Sequence, residues 1–159
     1  MLVNPNDYIS GCEGYFLWRE AIYLPSWGRL ANESDGLNQN IIDSLSYFFL
    51  NQILPVRLFL DVPMSVHCGY RPGPYSLAVG GTVNDPHTCT TPFNDTLKVC
   101  AIDFNPNWGL SLGEECDKGK SSLLPKLEEL GLRMENNGSG ATWIHLDSHP
   151  VINNRYFSG

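Results

Sequence analysis

The sequence reads as a single α+β domain spanning residues 1–159, on three observations. Apolar residues recur at helical spacing in three segments, three shorter apolar runs have the length and the bounding residues of strands, and no repeat or linker divides the chain. A content of 42% hydrophobic residues over 159 positions is enough to bury one core and too apolar for a disordered tail.

The first helix is expected where Tyr15, Phe16, Trp18, Ala21, Ile22 and Leu24 recur before Pro25. A second is expected to start near Asp35 or Asn38, to run through Ile41, Ile42, Leu45, Phe48 and Phe49, and to stop at about Leu54 because Pro55 removes a backbone donor. Residues 62–68 form a short apolar run that predicts a strand leading into Gly69, Tyr70, Arg71 and Pro72. Residues 73–98 are rich in Gly, Pro, Asn, Thr and Asp, with Gly80 and Gly81 adjacent, and predict a long irregular loop of the kind that carries function. A buried strand is expected over 99–104, a helix over 121–130 with Gly131 as its stop, and a last strand over 141–146.

Charge and patterning exclude some partners. The net charge of −7, with ten scattered Lys and Arg residues, is unsuited to a phosphate backbone, so no nucleic acid partner is expected. The runs at 47–50 and 56–60 are interrupted by Asn51, Gln52, Arg57 and Asp61 and fall far short of the ~20 apolar residues of a membrane span. Residues 1–10 carry Asp7 and no basic segment followed by an apolar one, so no signal peptide is read and synthesis in the cytoplasm is expected. The five cysteines, Cys12, Cys68, Cys89, Cys100 and Cys116, leave at least one thiol free or paired between chains, and none forms a Cys-x-x-Cys pair. Cys89 and Cys100 flank a polar segment that a bridge between them would staple in an oxidising compartment.

Metal-assisted hydrolysis needs about three nitrogen or oxygen ligands and an open position, so the four histidines, His67, His87, His145 and His149, and the carboxylates at loop and strand ends are the candidates. His87 falls in the long loop, Asp103 at the end of one predicted strand and His145 in another. Their spacing alone unites nothing.

Their flanking residues do. Gly69-Tyr70-Arg71-Pro72, Gly80-Gly81, Asp85-Pro86-His87, Ala101-Ile102-Asp103-Phe104 and Trp143-Ile144-His145-Leu146-Asp147 occur in this order. Together they resemble the zinc peptidases of bacterial cell walls, the D-alanyl-D-alanine carboxypeptidases and the L-alanyl-D-glutamate endopeptidases that include phage endolysins. That family carries Ser-Gly-Tyr-Arg, Gly-Gly, Ser-x-His-x-x-Gly-x-Ala-x-Asp and Trp-x-His-x-Asp. The likeness covers about residues 15–148, with the lead-in Phe16 to Ala21 and Ser26-Trp27-Gly28 similar to phage members. It implies a hedgehog/DD-peptidase-like fold, a small antiparallel sheet carrying a zinc site with helices packed on one side. It also implies that His87, Asp103 and His145 bind Zn2+, that metal-activated water hydrolyses a peptide bond of the peptidoglycan stem peptide, and that Arg71 holds a developing oxyanion or a substrate carboxylate. A monomeric phage-type endolysin acting on the cell wall, in the host periplasm if phage-encoded, is the resulting expectation.

Two departures from the pattern matter. His87 and Asp103 are sixteen residues apart, against seven in the motif, so residues 88–98 hold a nine-residue insertion bounded by Cys89 and Cys100. Asp85 and Asp95 are alternative ligands but lack the Ala-x-Asp context. In many members an acidic general base stands three residues before the last histidine, where this chain has Thr142. Asp147 is then the nearest candidate base, with support of a ligating histidine as its rival role; His67 and His149 are weaker candidates. Tyr70 and Trp143 flank the site and are candidates to stack on substrate. Loss of the base also leaves open a second reading, a zinc domain without activity that binds the wall or a partner.

Overall fold

A computed structural model describes all 159 residues. The first helix, α1 (Trp18–Ile22), is shorter than its apolar spacing predicts because Tyr23 and Leu24 turn extended and pair as β1 (Tyr23–Leu24) with β2 (Arg29–Leu30). Asn38 caps α2 (Gln39–Phe48), its side-chain oxygen accepting the Ile41 N–H at 3.0 Å, which places the second helix at one of its two expected starts.

Pro55 does not stop that helix. Residues Phe49–Ile53 form a π-helical turn in which the Leu54 N–H bonds the Phe49 carbonyl, and the chain continues as α3 (Leu54–Leu60). The wide turn shifts the hydrogen-bond ladder by one residue, so Pro55 falls in the first turn of α3, where a missing donor costs least.

Strand β3 (Met64–Cys68) leads into the predicted turn, and α4 (Gly73–Ala78) occupies the start of the segment expected to be irregular. After a single 3-10 turn at Pro86–Thr88 comes β4 (Ala101–Pro106), buried along its whole length. Helix α5 (Leu112–Leu123) begins nine residues earlier than expected. Ser111 and Glu114 form a reciprocal cap there, while Gly113, Glu114, Glu115, Asp117 and Lys118 interrupt the apolar spacing that would reveal it. Helix α6 (Leu127–Leu130) ends at Gly131, left-handed at φ 68°, as predicted. Strands β5 (Arg133–Glu135), β6 (Ile144–Asp147) and β7 (Tyr156–Phe157) complete the fold.

Five strands form one sheet in the order β3-β4-β6-β5-β7. The first four pair antiparallel, and β7 joins β5 in parallel, so the sheet is mixed where the resemblance implies a purely antiparallel one. Because side chains alternate across a sheet, its two faces differ in chemistry. Ile102, Phe104, Met134, Ile144 and Leu146 share one face, fully buried in a continuous cluster of 32 residues that α2 and α3 also join. Helix α5 packs on that face so closely that a Cβ at Gly119 would lie 2.6 Å from Ile144 Cδ1. Asp103, Arg133, Glu135, His145 and Asp147 share the other face. No helix is long and apolar enough to cross a membrane.

The turn after β3 is clamped from both sides. The Tyr70 N–H bonds the Ala21 carbonyl of α1 at 2.7 Å, and the Arg71 N–H bonds the His87 carbonyl at 2.9 Å. A Cβ at Gly69 would stand 2.5 Å from that same Ala21 oxygen, a backbone atom that cannot swing away. Gly69→Ala should therefore destabilise the protein by about 1–3 kcal/mol, the usual cost of overpacking, read as a lower urea midpoint with an unchanged slope.

Candidate metal centre

Three elements deliver three ligand atoms to one point. His87 stands in the 3-10 turn at Pro86–Thr88, where Asp85 caps the turn by accepting the His87 N–H at 2.9 Å. Asp103 and His145 are register partners on β4 and β6, so their side chains emerge side by side on the polar face. His87 Nε2 lies 3.2 Å from Asp103 Oδ1 and 3.3 Å from His145 Nδ1, and His145 Nδ1 lies 2.9 Å from Asp103 Oδ1. For metal bonds of about 2.0–2.1 Å, the edge of a tetrahedron is about 3.3 Å, so these three atoms fit one face of a tetrahedral ion. All three residues are buried, and the group could hold a metal ion.

Each ligand is gripped from behind. His87 Nδ1–H donates to the Gly69 carbonyl at 2.6 Å, which leaves Nε2 to face the centre. His145 Nε2–H donates to Asp147 Oδ2 at 3.0 Å, which leaves Nδ1 to face it. Asp103 Oδ2 accepts Arg71 Nη2 at 2.6 Å, so Oδ1 is turned inward. Partners of this kind fix the tautomer and orientation of metal ligands.

The electrostatics follow from that packing. Burial raises the Asp103 carboxyl, but the charge of His87 and the hydrogen bonds from both imidazoles outweigh it and hold it well below the ordinary carboxylate range. Burial would depress the two histidines, yet the Asp103 carboxylate raises His87 well above its usual value and, with Asp147, raises His145. The Asp103 carboxylate thus favours protonation of the imidazoles, with which a bound cation would compete.

Asp147 is fully buried, and its acceptor sites are filled. Oδ1 takes Arg133 Nε at 2.8 Å and the His149 N–H at 3.0 Å; Oδ2 takes Arg133 Nη2 at 2.9 Å and His145 Nε2. Burial raises this carboxyl, but the bonds from His145 and Arg133 bring it below its ordinary value. With four donors on its four acceptor sites it has no lone pair left for a water proton, so of its two expected roles the geometry supports the orientation of His145 and not that of a base. Arg133, which the sequence did not single out, is what neutralises it.

Arg71 lies at the centre's edge. Besides Asp103 it reaches Cys68 Sγ through Nε at 3.1 Å and stands 3.8 Å from Asp85 Oδ2, leaving guanidinium donors free for a ligand. His67 is the extra residue of a β-bulge, since Val66 pairs with Phe104 and Cys68 with Asp103, and its ring bonds the Asn105 side chain in the second cavity, outside the three-ligand group. His149 donates its Nδ1–H to the Pro150 carbonyl at 2.8 Å, and Asp95 is exposed in the inserted loop. Tyr70 is a core residue whose hydroxyl bonds the Asp35 carbonyl, whereas Trp143 is 41% exposed at the mouth of the site.

The insertion folds against α2 instead of covering the centre. Lys98 N–H bonds Ser44 Oγ at 2.8 Å, Asn40 Nδ2 bonds the Thr96 carbonyl at 2.5 Å, and the rings of Tyr47 and Phe93 stand 5.7 Å apart. The Cys89 and Cys100 sulfurs are 3.5 Å apart as free thiols, and all five cysteines are unpaired.

Two adjoining cavities, of about 400 and 390 Å³, share Arg71, Val79, Asp103 and Trp143 and so form one groove across the centre. The first contains all three ligands and is lined by 15 residues of which only 3 are hydrophobic, a lining suited to a polar ligand. No protein-family model, curated protein or solved structure matches the chain.

Two outcomes are expected. Asp147→Asn or Arg133→Met should lower metal affinity about 10–100-fold, measured by competition with a chromogenic chelator. Because Asp103 raises both histidines, metal uptake should compete with their protonation, so affinity should fall as pH is lowered; calorimetry at several pH values, in buffers of different ionisation enthalpy, reads the affinity and the protons released.

Proposed function

We propose that this chain is a zinc-dependent peptidase of the type its motifs resemble, hydrolysing a peptide bond in bacterial peptidoglycan as a phage-type endolysin does. The observation that carries the reading is the meeting of His87, Asp103 and His145 at tetrahedral spacing. These are the three residues the motif order selects from positions up to 58 residues apart. Two imidazoles and one carboxylate form the hard-to-borderline donor set that suits Zn2+, and three protein ligands leave the fourth position open, the mark of a catalytic site.

When bound, zinc supplies Lewis acidity that polarises a carbonyl and brings water toward ionisation near neutral pH. The chain supplies the rest. Gly69 and Asp147 hold the two imidazoles in the tautomers that present Nε2 and Nδ1. Arg71 offers its remaining guanidinium donors to the oxygen that gains charge at the scissile carbonyl, or to a carboxylate of the stem peptide. The polar groove on both sides of the centre gives an extended peptide room to lie across it, with Trp143 at its rim.

A second reading, a zinc domain that binds the wall without cutting it, is favoured by one observation, the Thr142 that stands where the resemblance places an acid. Elemental analysis and a turbidity assay on permeabilised Gram-negative cells separate the two. One zinc per chain with lysis, both lost in His87→Ala, and new stem-peptide fragments by mass spectrometry are the outcome expected of the peptidase. Zinc with sedimentation onto purified peptidoglycan but no fragments would support the binding domain, and absence of zinc after loading would defeat both.

A further inference from the structure

We infer that Glu135 is the general base that replaces the missing acid at Thr142. The inference rests on the peptidase reading, and it starts from a count of carboxylates. Four line the cavity that holds the triad: Asp85, Asp103, Glu135 and Asp147. Asp103 is a ligand. Asp147 has four donors on its oxygens. Asp85 accepts the His87 N–H through Oδ1, and its charge is paired with Arg71, whose Nη1 stands 3.8 Å from Oδ2. Glu135 alone makes no hydrogen bond and no ion pair; its half-buried side chain lines the cavity, with Oε1 packed beside Gly159.

Its position follows from register. Arg133 pairs with Asp147 and Met134 with Leu146, and one more step along the antiparallel pair sets Glu135 abreast of His145. Residues abreast share a face, with Cβ atoms about 4.5–5.5 Å apart, and Glu135 and His145 both line the cavity. The neighbouring strand thus offers, beside the last ligand, the group that the motif offers three residues before it. The Thr142 backbone carbonyl accepts Asn105 Nδ2 at 2.7 Å, and the residue lines the second cavity but not the first.

The step balances without any further reagent. The water oxygen bonds to the carbonyl carbon as a Glu135 oxygen takes its proton; the C–N bond then breaks, and that proton passes to the departing nitrogen, leaving Glu135 ionised for the next turnover. A positioned base of this kind contributes about 10²–10⁴-fold.

The test measures zinc content, affinity for a phosphinate analogue of the scissile dipeptide, and cleavage of purified peptidoglycan fragments by the full chain and its variants. Glu135→Gln should keep one zinc and bind the analogue within about threefold of the parent. It should lose about 10²–10⁴-fold in kcat at little change in KM, while Glu135→Asp recovers part of the loss. A Glu135→Gln protein that cuts at the parental rate overturns the inference and leaves the peptidase standing, as does one whose loss tracks lost zinc or lost analogue binding. A parent that binds zinc and cuts nothing overturns the peptidase reading, and this inference with it.

Discussion

Asp103 sits between two buried imidazoles, and most of what surrounds it follows from the cost of putting them there. A carboxylate and two rings taken from water are expensive unless every polar atom is bonded. The inward atoms face one another, and the three ligand atoms lie within 3.3 Å. The outward atoms need partners from elsewhere: the Gly69 carbonyl from the turn after β3, Arg71 two residues later, and Asp147 from the strand of His145 itself. Asp147 is fully enclosed and needs its own counter-charge, which only β5 can bring across. Adjacent strands β4, β6 and β5 thus carry Asp103, then His145 with Asp147, then Arg133 in unbroken contact.

How much of this the sequence disclosed depended on the length over which each signal was written. The helix boundaries at Asn38 and Gly131 were legible because a single residue type carries the reason, a side-chain acceptor in one case and a left-handed backbone in the other. Pro55 misled because the same residue that ends a regular helix is harmless one position after a π turn, and nothing local signals the turn. Strand β5 has one apolar residue, Met134, between two charged ones, too little for alternation to register, so Arg133 and Glu135 read as loop. The triad was legible only through its flanking motifs, since separations of 16 and 42 residues are set by the sheet and not by the chain. Arg71 was legible for the same reason, while the groups that filled Asp147 became visible only in the register of β5 against β6.

The insertion at 88–98 shows a different limit. Its presence was legible as an excess between His87 and Asp103, and the flanking cysteines suggested a covalent staple as the device that restrains it. What holds it is instead the polar edge of α2, through Asn40 and Ser44, together with one aromatic contact. Ser44 is buried, and its hydroxyl both donates to the Asn40 carbonyl and accepts from Lys98, a dual use that a hydroxyl allows and an apolar residue would not. The two thiols at 3.5 Å then mark where the ends of the loop converge, between the turn of His87 and the strand of Asp103.

On the peptidase reading, the same sheet explains why support and proton transfer fall to different carboxylates. A group that fixes an imidazole need only be held firmly itself, whereas a group that takes a proton from water must have a lone pair free and facing the cavity. Asp147 meets the first demand through Arg133, and in doing so fails the second. Residues two apart on a strand share a face, so the strand that carries Arg133 to Asp147 necessarily carries Glu135 to the same side, one step nearer the open end of the pair. The three residues of β5 can therefore serve both needs, closing one carboxylate and presenting another, with Met134 between them anchored in the core.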